Sequence, residues 1–524
     1  MQALSQAPTK RLVAIHGWSG TLLGLLLYAV IFTGAIVVYA GEVNIWSQGV
    51  LAYERSLGTK IDRDFRKAAR GVDPKYYEEV IISRTTGGDI RYLFHGHVSD
   101  PETGQVSEHG VRITVDRESG ETLERLEGYL GDFPGDPASA LSRFWVDLHV
   151  QLYVPAPWGL ILTGILGLSM MVAAISGILI HKHLIRDMFL SARDTARLVG
   201  ARDLHVLAGT WGIPFAILLA FTGAFLSFAL SLGIPVMAMI AFGGDQAALL
   251  EVLLGGEETK DLTPAPLASL DYIVADAISR TDSIVRSIQI FNYGSASADV
   301  KVAMANAVGD LTPQTLGYDG VTRAFEGDKP IFGQTESLGD TLFGLIIPLH
   351  FGNFAGLASK TVWLGLGLAM AYVTATGMLL WTKRREEEPL WHGFRHWVMV
   401  FVWGLPLSML FSAVAYFVSA PLSDPDWWTP AGFLIGAILV VALGFNRNSA
   451  EAQLRWWNGA ICLALPILRH LMGGSSWSEA LMAGAGEVLV IDLLLLIAGA
   501  VLLRLLPRRR TREEPVLLVR EPAE

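Results

Sequence analysis

The sequence is poor in cysteine and in charge, and each shortage excludes classes of protein. Cys462 is the single cysteine among 524 residues. The chain therefore has no disulfide framework, no four thiolates for an iron–sulfur cluster and no CxxCH motif for covalent haem. Charged residues make up 17% of the chain, against roughly 25% in an average soluble protein. The net charge of −10 offers no basic field for nucleic acid, which we exclude as a partner.

Apolar residues are abundant instead. They make up 52% of the chain, and the mean hydropathy is +0.41. Because an apolar run of about 20 residues spans a bilayer, this composition predicts a polytopic α-helical membrane protein with about eight transmembrane helices. The first run is too long for a cleavable signal, so we expect an uncleaved helix. The apolar segments are 12–40, 158–182, 204–232, 361–382, 397–419, 430–445, 456–472 and 487–506.

The basic residues between these segments predict their orientation. Clusters such as Lys10/Arg11, Lys182 to Arg202 and Lys383 to Arg385 fall on one side, whereas the short loops 420–429 and 473–486 contain no Lys or Arg. The positive-inside rule then places both termini in the cytoplasm. The predicted division is a first transmembrane helix at 11–40, outer domains at 41–157 and 233–360, further transmembrane helices at 158–182, 204–232 and 361–382, an additional four-helix region at 397–506 and a cytoplasmic tail at 507–524.

Both outer segments show patterns of small α+β domains. The first alternates as strands do in "IRYLFHGHV" and in "VRITVDRESGETL", where "RESGE" predicts a hairpin turn. The second contains "LTPAPLASLDYIVADAIS", in which Ser269 is a candidate helix cap, followed by strand-like "SIVRSIQIF". We therefore expect two separate α+β units outside the membrane.

An internal repeat relates the first and third apolar segments. "IHGWSGTLLGLLLYAVIFTGA" resembles "LHVLAGTWGIPFAILLAFTGA", so His16 and Gly34 correspond to His205 and Gly223. The 18 residues from each histidine to its glycine equal five helical turns, which predicts one face and a separation of about 27 Å on a straight helix.

The second and fourth segments, together with the residues that precede them, repeat in the same way. His149 aligns with His350, and Gly177 aligns with Gly377. A unit of helix, outer domain and helix that occurs twice in one orientation implies a pseudo-two-fold axis along the membrane normal. This symmetry predicts that His16 faces His205 on the inner side and that His149 faces His350 on the outer side.

Facing histidines in a helical bundle suggest haem as the ligand. Two neutral imidazoles can bind one haem iron from both sides, and glycines such as Gly34 and Gly223 allow the backbone to approach the macrocycle. The alternative is that each histidine is an interfacial polar residue and that the glycines only pack helices. His181 lies four residues after Gly177 and is an alternative inner ligand, a donor to a haem propionate or a snorkelling residue.

Other polar residues give weaker signals. His95 and His97 share one face of a strand near His109, which permits a weak metal site, although a solvated hairpin is the favoured interpretation. We expect His392, His396 and His470 at interfaces. Glu487 and Asp492 lie near the last apolar segment, where neither has an obvious partner in the sequence.

The order of these motifs resembles the PepSY-associated transmembrane family. The most specific stretch is "SGILIHKHLIRDMF" followed by "DLHVLAGTWGIPFAILLAFTGAF", and the likeness extends over residues 11–385. Members include bacterial inner-membrane ferric-siderophore reductases and iron-regulated membrane proteins that bind two b-type haems. The resemblance implies haem-ligand roles for His16, His149, His181, His205 and His350, without saying which of them pair. It does not explain the last four apolar segments.

The paired histidines and this resemblance together imply a di-haem b electron conduit of the bacterial inner membrane. We expect it to reduce a periplasmic acceptor, a ferric chelate of the siderophore class, and so to be an oxidoreductase. Because no GxGxxG after a strand, Walker motif or flavin signature is present, the donor is expected to be a quinol or a separate cytoplasmic reductase. The rival is a haem-free membrane protein that binds a periplasmic protein or peptide, or acts in transport.

Overall fold

The computed structural model describes most of the chain. The described ranges are 6–48, 61–85, 87–99, 106–181, 197–244, 261–281, 283–305, 314–330, 338–422 and 424–504, with Leu57, Phe189, Ala248, Leu249 and Leu311. The predicted cytoplasmic tail at 507–524 and the basic residues Lys182, Arg186 and Arg193 lie outside the described residues.

The first apolar segment forms two helices, and the expected single helix over 12–40 is wrong. Helix α1 (Gln6–Leu22) and helix α2 (Gly24–Val37) meet at Leu23 with a bend of 69°. At the bend, Gly24 packs closely on buried Met378, since a Cβ atom on Gly24 would lie 2.5 Å from the Met378 sulfur. The straight 27 Å path from His16 to Gly34 therefore does not exist. Helix α3 (Ala40–Ser47) follows.

Five helices of the described chain are long and apolar enough to cross a membrane, or six spans if the bent pair counts as one. The first two are α6 (Trp158–Ile180) and the stretch Val199–Ala241, which covers α7 (Arg197–Phe228) from its third residue, a π-turn (Ala229–Gly233) and α8 (Ile234–Ala241). The others are α11 (Gly356–Lys383), α12 (Pro389–Ser419) and α13 (Pro425–Gly444).

The expected count of eight transmembrane helices is not reached by this measure. Helices α14 (Ala450–Leu471) and α16 (Glu487–Arg504) form, and the short helix α15 (Trp477–Met482) lies between them. Each of the two longer helices carries three charged residues, and charges are costly in a bilayer. In α16 the charges include Asp492, which is buried against the protein.

The strands of the two outer segments form one antiparallel sheet, which corrects the expectation of two separate domains. The strand order is β4-β3-β2-β1-β5-β6-β7-β8, so the halves join where β1 pairs with β5. The strands are β1 (Glu79–Arg84), β2 (Ile90–Ser99), β3 (Val106–Val115), β4 (Thr122–Tyr129), β5 (Val285–Phe291), β6 (Asp299–Met304), β7 (Thr315–Asp319) and β8 (Phe325–Asp328).

The apolar alternation of the strands explains the joint. Val80 pairs with Ile290 and Ile82 pairs with Ile288 across the β1–β5 junction, and all four side chains are buried in one core. Two separate domains would each expose this edge strand, whereas pairing satisfies its backbone groups. Helices α4 (Asp62–Ala69) and α9 (Leu270–Thr281) contribute to the same core.

The two helices of the sheet region cap each other. The carboxylate of Asp62 accepts a hydrogen bond from the Leu270 backbone N–H at 2.9 Å, and that of Asp271 accepts one from the Ile61 N–H at 2.5 Å. Ser269, the predicted cap, accepts a longer bond from the Tyr272 N–H at 3.3 Å. Each half of the repeat therefore satisfies the free backbone donors of the other half.

A separate helix carries each of the two outer histidines. His149 lies in the last turn of α5 (Ala140–Gln151), and His350 lies in the last turn of α10 (Leu338–Phe351). The chain then breaks, with positive φ at Leu152, Tyr153 and Gly352, before the membrane helices begin. Both histidines thus precede the membrane helices, as the predicted starts of the second and fourth apolar segments at 158 and 361 imply.

Candidate functional site: two histidine pairs

The histidines that the repeat relates form two facing pairs. His149 and His350 have ring centroids 6.3 Å apart with an interplanar angle of 25°. His16 and His205 have ring centroids 6.5 Å apart at 74°. We call these the sheet-side pair and the far-side pair, because α5 and α10 are neighbours of the sheet strands along the chain, whereas His16 lies in α1 and His205 in α7.

Helix α7 takes part in both pairs. It contributes His205 to the far-side pair, and Gly223 on the same helix contacts His350 of the sheet-side pair. The 18 residues between them correspond to about 27 Å along the helix. Here the spacing predicted from the sequence holds in an unbroken helix, in contrast to the first apolar segment.

Each histidine ring lies against a glycine of another helix. A side chain at any of these glycines would meet the imidazole, so the glycines allow the rings to approach the backbone. The distances from a Cβ atom built on each glycine to Cε1 of the histidine are 2.7 Å for Gly34 and His149, 3.2 Å for Gly223 and His350, 3.5 Å for Gly177 and His16, and 3.2 Å for Gly377 and His205.

A hydroxyl residue precedes each of these glycines and contacts the same ring. The Nδ1–Oγ distances are 3.5 Å for His149 and Thr33, 3.2 Å for His16 and Ser176, 3.1 Å for His205 and Thr376, and 2.8 Å for His350 and Thr222. His149 also bonds the Val30 carbonyl, and His16 bonds the Ala173 carbonyl, both at 3.0 Å. A Thr–Gly or Ser–Gly dipeptide therefore contacts each of the four histidines.

These contacts assign the proton of each ring to Nδ1. A carbonyl oxygen only accepts, so the bonds to Val30 and Ala173 require N–H donors on His149 and His16. The Thr376 hydroxyl donates its own proton to the Tyr372 carbonyl at 2.8 Å, so it accepts from His205. In the neutral ring, Nε2 then carries the free lone pair.

The residues of the sheet-side pair and of the far-side pair each fit a haem site with two imidazole ligands. Two imidazoles that bind opposite sides of one metal ion at about 2.0–2.1 Å have ring centroids roughly 6.4 Å apart, which agrees with both observed separations. A metal-binding histidine usually donates its other ring N–H to a fixed acceptor, as all four do here. No residue that the structure describes makes a hydrogen bond to Nε2 of these histidines.

His181, the third candidate for the far-side site, occupies a different position. It directly follows the last residue of α6, and its Nδ1 atom is buried without a hydrogen-bond partner among the described residues. The ring that faces His16 belongs to His205. Trp381, which corresponds to His181 in the repeat, also has a buried ring nitrogen without a partner there, and it packs over Gly17.

The histidines of the sheet have carboxylate neighbours. Nε2 of His95 lies 3.4 Å from Glu79, and Nδ1 of His97 lies 3.1 Å from Glu78. The ring of His109 contacts Tyr129. Within the described ranges, no group of three or more His, Cys, Asp or Glu residues is arranged to hold a metal ion.

The remaining polar candidates lie in the C-terminal helices. His396 is within hydrogen-bond distance of the Gly444 carbonyl at 2.7 Å, His470 is 3.2 Å from that of Gly474, and His392 is exposed. Asp492, which lacks an evident partner in the sequence, contacts Trp46, Trp477 and Arg469. These partners come from three other helices or their connections, so local sequence could not reveal them.

The fold and the paired histidines define a polytopic helical membrane protein with an antiparallel sheet domain and a repeated histidine site. The family described as the PepSY-associated TM region matches residues 13–384, and the chain belongs to this family. The match contains both histidine pairs and the sheet, and it ends before α12.

One curated protein with a similar sequence has no assigned function. An uncharacterized protein of Pseudomonas aeruginosa is 29% identical over 258 residues, which are 47% of this chain. The chain covers 64% of that protein, which is less than two thirds of its length.

Proposed function

We propose that this chain is a transmembrane electron conduit that holds two haem b groups and reduces a ferric chelate of the siderophore class in the periplasm. The observation that carries the proposal is that all four histidines have the same surroundings. Each of four histidines is anchored through Nδ1, lies against a glycine and faces a second histidine at 6.3 or 6.5 Å. A structural histidine requires the anchor but gains nothing from a facing imidazole with a free nitrogen.

The roles of the protein residues follow from their contacts. Haem supplies one-electron chemistry when bound, and its potential depends on its axial ligands and on the dielectric around it. The sheet-side ligands would be His149 and His350, and the far-side ligands would be His16 and His205. Thr222 and its three counterparts orient the rings, and the glycines leave room beside them.

The direction of transfer is outward in this proposal. With a negative cell interior, an electron that moves outward gains about 2.3 kcal/mol per 100 mV of membrane potential. The bacterial inner membrane provides such a potential, and the donor would be a quinol or a cytoplasmic reductase. The soluble sheet, which adjoins the sheet-side pair along the chain, would be the surface at which the ferric chelate docks.

An optical spectrum of the purified full-length protein tests the proposal. We expect a sharp α-band after dithionite reduction and about two haem b groups per chain by the pyridine haemochrome assay. The reduced protein should then be reoxidised by a ferric siderophore, with Fe²⁺ trapped by a ferrous chelator. A preparation that is colourless even after expression with ample haem would contradict the proposal and favour a haem-free protein that binds a peptide or protein through its sheet.

A further inference from the structure

A cavity of about 390 Å³ lies outside the histidine sites, where the ends of several helices meet. Tyr416 and Phe417 of α12 line one side, and Arg469 lies at the end of α14 on another. Gln48, just after α3, and Gly87, in the turn between β1 and β2, complete the wall. The cavity therefore joins the C-terminal helices to the sheet region. Its volume lies within the range of about 300–1,000 Å³ that is typical of small-molecule sites.

Asp492, the carboxylate partner of Arg469, is satisfied mainly by other donors. The indole N–H of Trp46 donates to it at 2.7 Å, and that of Trp477 donates at 2.8 Å. The Nη2 atom of Arg469 lies farther away, at 3.4 Å. Arg469 and Asp492 therefore form a buried ion pair, in which two shorter bonds from neutral donors also stabilise the negative charge of Asp492.

Arg469 itself is incompletely bonded. It is 2% exposed, and Nη2 also donates to the Ser475 carbonyl at 2.8 Å. Its Nε and Nη1 atoms are buried and have no partner among the described residues. A buried guanidinium with two unpaired nitrogens is costly, because charged groups lose strong interactions with water. This cost indicates that Arg469 serves a ligand that the protein alone does not supply.

The cavity walls define the character of that ligand. Gly474 lies beside the guanidinium and also lines the cavity, and a Cβ atom on Gly474 would lie 2.7 Å from Nη1. A side chain there would crowd the guanidinium. The other walls are largely apolar and include Phe417, Pro421, Pro425 and Met472. An apolar cavity with one buried cation suits an anionic head on an apolar body.

We propose that this cavity binds a small organic carboxylate, with the carboxylate on Arg469 and the apolar part against Phe417 and the prolines. A ligand with one negative charge suits this site better than a more highly charged one, because Asp492 already offsets part of the positive charge of Arg469. The cavity lies largely on segments beyond residues 13–384, the range of the family match. The C-terminal helices thereby gain a ligand-binding role that the histidine pairs do not require.

The test uses the full chain in detergent and 1-naphthoate as the probe. Isothermal titration should show saturable binding, and the thermal midpoint should rise with probe concentration because the ligand stabilises the folded state. The neutral isostere 1-naphthalenemethanol should bind at least about tenfold more weakly, since it forfeits the charge-assisted bond. Equal binding of the neutral compound would overturn the carboxylate assignment and favour an uncharged ligand such as a quinone.

Three variants locate the site. Arg469→Gln removes the cation, and Ala420→Trp fills the cavity at its exposed rim without touching Arg469. Both should weaken naphthoate binding at least about tenfold, or by about 1.4 kcal/mol. Val418→Trp, two residues away at an exposed position that does not line the cavity, is the matched control and should bind as the wild type does. Absence of saturable binding in the wild type, or unchanged binding in Ala420→Trp, would overturn the proposal even if Arg469→Gln fails to fold.

Discussion

Thr222 accepts a hydrogen bond from Nδ1 of His350 at 2.8 Å while it donates its own proton to the Leu218 carbonyl, also at 2.8 Å. The hydroxyl thereby connects the His350 ring to the backbone of a membrane helix and sets its tautomer. Since Nδ1 holds the proton, Nε2 of His350 keeps its lone pair. His350 needs this lone pair if it is to bind one metal ion together with His149. The same logic applies at the other three histidines, and the predictions below depend on it.

Replacing His350 should remove one haem and leave the other. His149 cannot supply both axial bonds, so His350→Ala is expected to lower the pyridine haemochrome count from about two to about one per chain. His392→Ala, at an exposed histidine away from both pairs, is the control and should keep the full count. An unchanged count in His350→Ala would show that the sheet-side pair is not a haem site.

A methyl group on Gly34 should disturb the same site. Its Cβ atom would lie 2.7 Å from Cε1 of His149, so Gly34→Ala must displace the ring. We expect a loss of the haem that His350→Ala also removes, with no further loss in the double variant. Gly20→Ala, on the preceding helix with open space around its Cβ atom, should retain both haems. Full haem content in Gly34→Ala would mean that the close approach is unimportant.

The hydroxyl anchors can be tested with two threonines on one helix. Thr376 accepts from Nδ1 of His205 at 3.1 Å, whereas Thr374 bonds only the Met370 carbonyl of its own helix in the described structure. Thr376→Val should weaken haem affinity at the far-side pair by roughly 10- to 100-fold and shift its reduction potential. Thr374→Val should change neither quantity. Equal effects in haem titrations and potentiometry would indicate helix packing rather than ring orientation.

The sheet should lose stability as pH rises from about 5 to 8. Burial, followed by the nearby Glu108 carboxylate, raises the pKa of Glu79 from 4.5 to about 7. The folded sheet then binds more protons than the unfolded chain between these values, so its unfolding free energy falls across that window, by at most about 3 kcal/mol.

Glu79→Gln removes the titrating group and should flatten this dependence. Pulse proteolysis of the full chain in urea at pH 5 and pH 8 measures the change, with fragments mapped to the sheet. Glu121→Gln, at an exposed turn position, serves as the control and should keep the wild-type slope. A slope in Glu79→Gln as steep as in the wild type would assign the pH dependence to another group.

The repeat in the sequence identified the residues of the histidine pairs but not what holds them. The dipeptides Thr33–Gly34 and Thr222–Gly223 lie near the end of the repeated sequence motif. Their glycines were predicted to let the backbone approach a haem. The hydroxyls were missed, because their role depends on a histidine 116 or 128 residues away. Their recurrence before all four glycines was the signal that could have revealed them.

Local features could be predicted from the amino-acid sequence: apolar runs long enough to span a bilayer, alternating strands, and histidines and glycines at repeated positions. These depend on short-range periodicity and on solvent preference, which a single chain displays directly. Three features could be read only from the folded chain: β1 pairs with β5 in one sheet, the first apolar segment bends by 69°, and Asp492 contacts Trp46 and Arg469. The strand pairing and the Trp46–Asp492 contact join residues hundreds of positions apart. Such contacts are selected by packing and by the need to satisfy buried polar groups rather than by local pattern.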